Sequence, residues 1–154
     1  MPRAQYWLMK SEPSEFSIGA LKEKHIHYWD GVRNYEARNY MRDKMQVGDL
    51  VIFYHSNADP SGPVGIARVA SVPYPDFTQW DKQNKHYDPK SSEEKPIWYM
   101  VDVGFVERFT RTISREELKA APALSQMLLF KRNRLSITPL TKAEFDTIVQ
   151  IAKK

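Results

Sequence analysis

The sequence predicts an α+β protein in which a small, curled, mixed β-sheet or barrel is flanked by helices. Its strand patterns are short, and helix patterns lie between and after them without the regular alternation of a doubly wound parallel sheet. The length of 154 residues and the hydrophobic content of 42% suit one continuous core. We therefore expect a single domain over residues 1–154.

The first third of the chain contains four periodic segments. The aromatic and apolar segment Gln5 to Lys10 is stopped by Pro13 and predicts a short, buried strand near the centre of the sheet. Ser14 to Lys24 has the spacing of a short amphipathic helix, and His25 to Asp30 predicts a brief extended piece. Asn34 to Met45 contains neither glycine nor proline, which predicts a helix with Asn34 as its N-cap.

The middle of the chain predicts three strands and one long loop. Asp49 to Ser56 and Val64 to Val72 are β-rich and are joined by a turn rich in proline and glycine. Pro73 to Pro96 is polar and contains four prolines, and loops of this length are usually functional or disordered. Ile97 to Phe109 alternates over its whole length and predicts the longest strand.

Two capping boxes mark helix starts near the end of the chain. Ser114 precedes Glu117, and Thr141 precedes Glu144, at the spacing at which each side chain satisfies a backbone donor of the other. We expect helices from both points, the first of them ending near Pro122.

The charge balance permits nucleic-acid binding without requiring it. The 23 basic and 19 acidic residues give a net charge of +4. Basic residues cluster in two segments, each of which could follow a phosphate backbone or form a solvated face. The members are Arg33, Arg38, Arg42 and Lys44 in the first segment and Lys131, Arg132 and Arg134 in the second.

Other compositional features exclude several classes of protein. No apolar run suits a membrane span, and Met1 to Lys10 lacks the pattern of a secretion signal. We expect a cytoplasmic protein, associated with the nucleoid in bacteria or nuclear in eukaryotes. The chain has no cysteine, which excludes disulfides and cysteine-bound zinc. His25 and His27 share a face without a third ligand at a familiar spacing, so we expect neither a metal nor a cofactor.

The first candidate site lies where the first predicted strand ends, at Trp7, Lys10, Ser11, Glu12 and Pro13. In an extended chain Lys10 and Glu12 point to the same side, so an ammonium and a carboxylate could form a paired polar site there. The alternative is a partly exposed ion pair of little consequence.

The second candidate site is a run of residues suited to a flat, hydrogen-bonding base. Trp29 offers a π face, Gly31 allows close backbone approach, Arg33 offers a fork of donors, and Asn34 can donate and accept. The alternative is that Trp29 is a core residue and Asn34 only a helix cap. Arg38 and Asn39 follow on the predicted helix.

The third candidate site is the strand end Phe53 to Asn57, which turns polar abruptly. Tyr54 and Ser56 share one side, and His55 shares the other with Phe53. A single histidine is more often a structural hydrogen-bonding group than a catalyst. The chain also lacks a phosphate-binding loop, a GxGxxG run, a nucleophile elbow and an HExxH motif, so we expect no enzyme.

Taken together, these motifs resemble the EVE domain family. The resemblance covers nearly the whole chain and rests on three separated stretches, with shorter ones in family order. The three are Tyr6 to Pro13, Trp29 to Tyr35 with Ala37 to Asn39, and Phe53 to Ser56; the shorter ones are Gly65 to Ala67, Tyr87 to Pro89, Trp98 and Leu135 to Ser136. It implies a PUA-like fold, a small curled β-barrel with helices around it.

The resemblance also implies a function. Members of the family are similar to readers of modified bases in DNA or RNA, including cytosine with a methyl or hydroxymethyl group on carbon five, and no chemistry of their own is expected. The implied pocket residues are Lys10, Ser11, Glu12, Trp29, Gly31, Arg33, Asn34, Tyr54, His55 and Ser56, with Arg38 at the phosphates. Weaker candidates are Trp7, Asn39, Trp80 and Trp98.

Two other functions stay open at this point. A small hydrolase acting on a modified nucleoside could use Lys10 and Glu12 as nucleophile or acid–base pair. A protein-interaction module could use the aromatic residues of the loop Pro73 to Pro96. The expected partner is nucleic acid, with no role for a membrane.

Overall fold

A computed structural model describes residues 5–154, and residues 1–4, where the segment examined for a secretion signal begins, lie outside the described part. The α+β class is confirmed. The strands are β1 (Tyr6–Ser11), β2 (Ile26–Tyr28), β3 (Leu50–His55), β4 (Gly62–Val69), β5 (Tyr74–Pro75), β6 (Tyr99–Met100), β7 (Asp102–Arg108) and β8 (Ile137–Leu140). The α-helices are α1 (Ile18–Lys24), α2 (Tyr35–Asn39), α3 (Arg115–Ala120), α4 (Leu128–Lys131) and α5 (Lys142–Ala152).

Six strands form one mixed sheet in the order β2-β7-β4-β3-β1-β8. Strand β1 runs parallel to β3, and the other neighbours are antiparallel. The predicted buried strand at the start of the chain is therefore interior, paired on both sides. Register shifts occur at Phe53/Tyr54 and at Ile66/Ala67, and such bulges bend a strand and increase its twist, which curls the sheet.

The sheet has two differently covered faces because successive side chains on a strand point in opposite directions. On the front face Trp7 and Phe53 pack with residues of α1 and α2. On the back face Leu8, Ile52 and Tyr54 pack against α3, α4 and α5. Alternate residues of the same strands thus form the two halves of the core, one on each face of the sheet.

Three predicted helix starts are confirmed, whereas the helix predicted from Ser14 begins at Ile18, with Ser17 as its N-cap. Both capping boxes form, at Ser114 and at Thr141. The side chain of Asn34 accepts a hydrogen bond from the Ala37 amide at 3.0 Å and caps α2. That helix is shorter than predicted, because a turn with π-type hydrogen bonding replaces its second half at Tyr40–Lys44.

The prediction that Ile97 to Phe109 forms the longest strand is wrong. The segment is divided at Val101: β6 pairs with β5 in a separate two-stranded sheet, whereas β7 pairs with β4 and β2 in the main sheet. Alternation reports which residues are buried and not which strand they pair with, so it continues across the change of sheet. The eight-residue β4 is longer than either piece.

Neither a membrane-spanning helix nor a metal-binding cluster occurs in residues 5–154. No helix there has the length and apolar character needed to cross a membrane. No group of three or more histidine, aspartate or glutamate side chains in that range could hold a metal ion.

Candidate functional site

A cleft of about 710 Å³ opens on the front face beside the end of β1. Its volume lies within the range of about 300–1,000 Å³ that is usual for sites that bind small molecules. Its lining combines the end of β1, the segment after β2 and part of the long loop: Lys10, Ser11, Glu12, Glu15, Phe16, His27, Tyr28, Trp29, Asp30, Gly31, Val32, Arg33, Gln83, Asn84, Lys85, His86 and Ser136.

The first wall is the end of β1, held in place by its neighbours. Ser11 is opposite His55 in the parallel pairing with β3, and the Ser56 amide donates to the Ser11 carbonyl at 3.0 Å. The Lys10 ammonium donates to the Asn133 carbonyl at 2.8 Å. Burial lowers the pKa of Lys10, and the positive charge of Arg115 lowers it further.

The predicted polar pair of Lys10 and Glu12 is not formed in the described structure. Lys10 bonds the Asn133 carbonyl, and the Glu12 carboxylate accepts a hydrogen bond from the Asn57 amide group at 3.2 Å. Both residues line the cleft, but the Lys10 ammonium lies over the ring of Tyr54, 5.8 Å from its centroid, on the side of the back face.

The second wall is organised by one buried carboxylate, that of Asp76. It accepts hydrogen bonds from the Gly31 amide at 2.8 Å, from the Arg33 guanidinium at 3.1 Å and from the Thr78 amide at 2.9 Å. Arg33 in turn donates twice to the His86 carbonyl, at 3.1 and 2.9 Å. This network, which we call the Asp76 network, joins the segment after β2 to the long loop.

The long loop closes the third side of the cleft. Gly31 has φ of +81°, and a Cβ atom built there would lie 2.5 Å from Nε2 of His86, so the imidazole sits where any other residue would place a side chain. Lys85 forms an ion pair with Glu15 from the opposite side. The loop is therefore ordered and lies against the cleft.

The floor of the cleft is aromatic. Trp29 makes edge contacts with Phe16 and Phe53, with ring centroids 5.7 and 5.1 Å apart. Because Trp29 is only 4% exposed, most of its ring belongs to the core. Phe16 and Tyr28 are half-buried, so they present more ring surface to the cleft than Trp29 does.

Besides Lys10, two partly buried side chains in the lining have shifted pKa values. Burial raises the pKa of Asp30, and the negative charge of Asp76 raises it further. Burial lowers the pKa of His27, and Lys24 adds to the effect. Both shifts favour the neutral form over what water would allow.

Six of the eleven main residues predicted for the site lie in the lining: Lys10, Ser11, Glu12, Trp29, Gly31 and Arg33. Tyr54 points to the back face, where it is 3% exposed. His55 lies behind the lining, and its Nε2 accepts a hydrogen bond from the Ile18 amide at 3.1 Å. Ser56 contributes its amide to β1, and Asn34 caps α2.

The remaining predicted residues are not part of the cleft lining. Arg38 donates to the Ile97 carbonyl at 2.8 Å and to the side chain of Asn39. The Trp7 indole donates to Asp49, and the Trp98 indole donates to Asp88. Within residues 5–154, the buried indole nitrogen of Trp80 has no hydrogen-bond partner.

Several lining residues were not among the predicted ones. Asp30 and Val32 lie within the run Trp29 to Asn34, so the position of that motif in the sequence could have predicted them. Phe16 was taken only as an apolar position of a helix. The loop residues Gln83 to His86 have no local signal, because the Asp76 network brings them to the cleft from far along the chain.

The second basic segment lies next to the cleft. The residues Asn34, Lys131, Arg132, Asn133, Arg134 and Leu135 line a hollow of about 250 Å³. An ion pair between Arg132 and Glu36, at 2.6 Å, ties this segment to α2. Asn34 follows Arg33 and Leu135 precedes Ser136, so the hollow and the cleft adjoin.

Comparison with known proteins identifies the family. The EVE domain matches residues 5–151. The chain belongs to the EVE domain family. Thymocyte nuclear protein 1 from Mus musculus is 46% identical over 96% of this chain and 74% of its own length.

Two solved structures of EVE relatives share this fold over nearly the whole chain. A hypothetical protein from Leishmania major has a TM-score of 0.96 and 46% identity, covering 98% of this chain and 96% of its own. The human THYN1 protein, in a complex with DNA containing 5-methylcytosine, has a TM-score of 0.92 and 44% identity, covering 98% of this chain and 99% of its own.

Proposed function

We propose that this EVE domain binds nucleic acid by taking a single base, a cytosine with a substituent on carbon five, into the cleft. The observation that carries the proposal is the human relative, which shares 44% of its residues and almost the whole fold and forms a complex with 5-methylcytosine DNA. The cleft supports it, because it is lined by the EVE motifs around Lys10 to Glu12 and Trp29 to Arg33.

The shape and chemistry of the cleft suit a planar heterocycle. Its aromatic floor offers ring surface, and stacking of a base on an aromatic side chain contributes about 1–3 kcal/mol. Its lining includes the charged residues Lys10, Glu12 and Asp30. A base must leave its stack to enter such a cleft, which costs a few kcal/mol in a duplex and less in a single strand.

The second basic segment is the best candidate for binding the phosphates of the nucleic-acid backbone. Lys131 and Arg134 are exposed beside the cleft. In the first segment, by contrast, Arg33 is bonded to Asp76, and Arg42 is bonded to the neighbouring Asp43. We therefore assign backbone contacts to Lys131 and Arg134, and sequence-independent affinity should fall as salt rises.

A binding screen tests the function. Fluorescence anisotropy would compare single- and double-stranded oligonucleotides that differ only at one central cytosine, either plain, methylated or hydroxymethylated. We expect tighter binding of the modified strands and a loss of that preference in Phe16→Ala. Phe130→Ala, on the back face, is the matched control and should keep the preference. Equal affinity for plain and modified strands would contradict the proposal.

The same proposal makes the domain a reader and not an enzyme. A hydrolase built on Lys10 and Glu12 would need them to act together, and each is bonded elsewhere. Incubating the protein with modified nucleosides and oligonucleotides should leave every mass unchanged. A product of altered mass would contradict this part of the proposal.

The function also implies where the domain acts. We propose that residues 1–154 work as one domain in the compartment that holds the nucleic acid, which the name of the relatives, thymocyte nuclear protein 1, suggests is the nucleus in eukaryotes.

A further inference from the structure

One carboxylate in the cleft is free of hydrogen bonds from other residues. Among the described residues, 5–154, the side chain of Asp30 is bonded by its own backbone amide alone. The other two carboxylates of the lining are occupied and exposed: Glu12 accepts from Asn57, and Glu15 pairs with Lys85. Asp30 is half-buried, so its oxygens are the acceptors that the inner cleft offers.

The backbone holds Asp30 in place from both sides. The Trp29 amide donates to the Val101 carbonyl at 2.9 Å, and the Gly31 amide donates to Asp76 at 2.8 Å. A side chain carried on such a fixed stretch of chain is positioned before any ligand arrives, which is what a specific hydrogen bond requires.

The surroundings of Asp30 disfavour its charge. Burial and the neighbouring Asp76 raise the pKa of Asp30, and the effect of His86 and His27 in the opposite direction is smaller. The nearby Arg33 is engaged by Asp76. A partly buried carboxylate that has only its own backbone amide as a donor is disfavoured in the folded protein, and such groups are concentrated at functional sites.

We propose that Asp30 accepts a hydrogen bond from the 4-amino group of the bound base and so selects 5-methylcytosine over thymine. The inference rests on the proposed function and names the residue behind its specificity. The two bases carry the same methyl group on carbon five, so an apolar surface for that methyl cannot separate them. They differ at position four, where cytosine has an amino donor and thymine has a carbonyl acceptor.

The carboxylate of Asp30 can accept a hydrogen bond from position four of cytosine but not from that of thymine. The amino group of cytosine donates to it, and no other residue within 5–154 supplies such a donor. Opposite thymine, two acceptors face each other and both lose the hydrogen bonds they make in water. Selectivity of this kind corresponds to roughly a five-fold to hundred-fold difference in affinity.

Anisotropy with three single-stranded oligonucleotides tests the assignment. They are identical except for a central cytosine, 5-methylcytosine or thymine. The wild-type protein should bind the 5-methylcytosine strand at least roughly five-fold more tightly than the thymine strand. In Asp30→Asn the amide can donate or accept, so that ratio should fall to about one.

Two controls separate binding chemistry from other effects. Asp146→Asn makes the same charge change on α5, where Asp146 is paired with Lys142, and should keep the wild-type ratio. Asp30→Asn should melt no lower than the wild type, because the amide removes a disfavoured charge. Asp30→Ala serves as a second variant, and its ratio should fall as well.

Each outcome decides the assignment. A wild-type protein that prefers 5-methylcytosine to both other bases, together with Asp30 variants that keep the full ratio, would overturn the role of Asp30 and leave the proposed function standing. Equal binding of 5-methylcytosine and thymine by the wild type would do the same. Equal binding of cytosine and 5-methylcytosine would remove the proposed function, and the role of Asp30 with it.

Discussion

The two faces of the sheet share the same strands but differ in what covers them. The back face is covered by α3, α4 and α5 over a core in which Ile52, Leu118 and Ile148 are fully buried. The front face packs against α1 and α2, and part of it is covered by a loop that the Asp76 network holds. Helices cover one side, whereas the loop on the other side borders a cleft.

Stability and the candidate site depend on different interactions. The back face depends on apolar burial, which is tolerant of direction but sensitive to lost volume. The front face depends on hydrogen bonds to a few buried polar groups, which are sensitive to the loss of one partner. Substitutions on the two faces should therefore have separable effects on unfolding and on binding.

The largest effect should come from the Asp76 network, because both the stability of the protein and its binding of oligonucleotides depend on it. In Asp76→Ala the Arg33 guanidinium and the Gly31 amide lose their acceptor, which should lower the free energy of unfolding by about 3–5 kcal/mol. Urea denaturation measures this, and oligonucleotide binding should weaken in parallel because the loop is released. Asp146→Ala, which breaks an exposed pair, should cost less than about 1 kcal/mol. Similar losses in both variants would contradict this role of Asp76.

A substitution on the back face should lower the stability of the protein without changing its affinity for oligonucleotides. Ile148→Ala removes a fully buried side chain from α5 and should lower the free energy of unfolding by about 2–5 kcal/mol. Below its melting temperature the variant should still bind modified oligonucleotides with the affinity of the wild type. A large loss of affinity in protein shown to be folded would mean that the two faces are coupled.

A smaller and more local effect is expected at Gly31. Gly31→Ala introduces a side chain at φ of +81°, which costs about 1–2 kcal/mol, and forces His86 away from the cleft. Gly48→Ala is a matched control, because Gly48 has φ of +97° and no atom within 4 Å of the added Cβ. Unfolding in urea and oligonucleotide affinity measured for both variants separate backbone strain from the displacement of His86. Only Gly31→Ala should weaken binding.

The smallest effect concerns pH and the histidine behind the cleft. Burial, followed by the charge of Arg108, lowers the pKa of His55, whose Nε2 must be unprotonated to accept from the Ile18 amide. The folded state therefore binds fewer protons than the unfolded state, so stability is lost as the pH falls through the ordinary value of 6.5 towards the lowered pKa.

Urea denaturation at pH 7 and pH 5 would measure that loss. His55→Gln keeps an acceptor that does not titrate, so its stability should change less between the two values. His27, whose pKa is also lowered, should leave part of the slope in place. An unchanged slope in His55→Gln would show that the hydrogen bond to Ile18 has no part in it.

Much of the fold was predictable because local rules govern it. The capping boxes at Ser114 and Thr141 and the cap at Asn34 formed as expected, since each satisfies backbone donors within one turn of helix. The segment Ile97 to Phe109 was mispredicted because a pattern of burial does not specify a pairing partner.

The candidate site was predictable to a lesser degree, for a related reason. The motif around Trp29 led to the correct part of the chain, yet its most conspicuous residue is largely core, and the half-buried ring of Phe16 beside it was not singled out. The resemblance implies Tyr54 at the site together with His55, whereas the structure places Tyr54 in the back-face core, because a strand sends adjacent side chains to opposite faces.

The elements, the family motifs and the alternation that buries one core on each side of the sheet follow from the sequence alone, because these depend on residues close together in the chain. Tertiary contacts, in contrast, place the loop carrying His86 against Gly31, give Lys10 and Glu12 other partners, and leave Asp30 without a hydrogen bond from another residue within 5–154. Those outcomes depend on hydrogen bonds and contacts between distant segments, and a local pattern contains no information about which distant groups will meet.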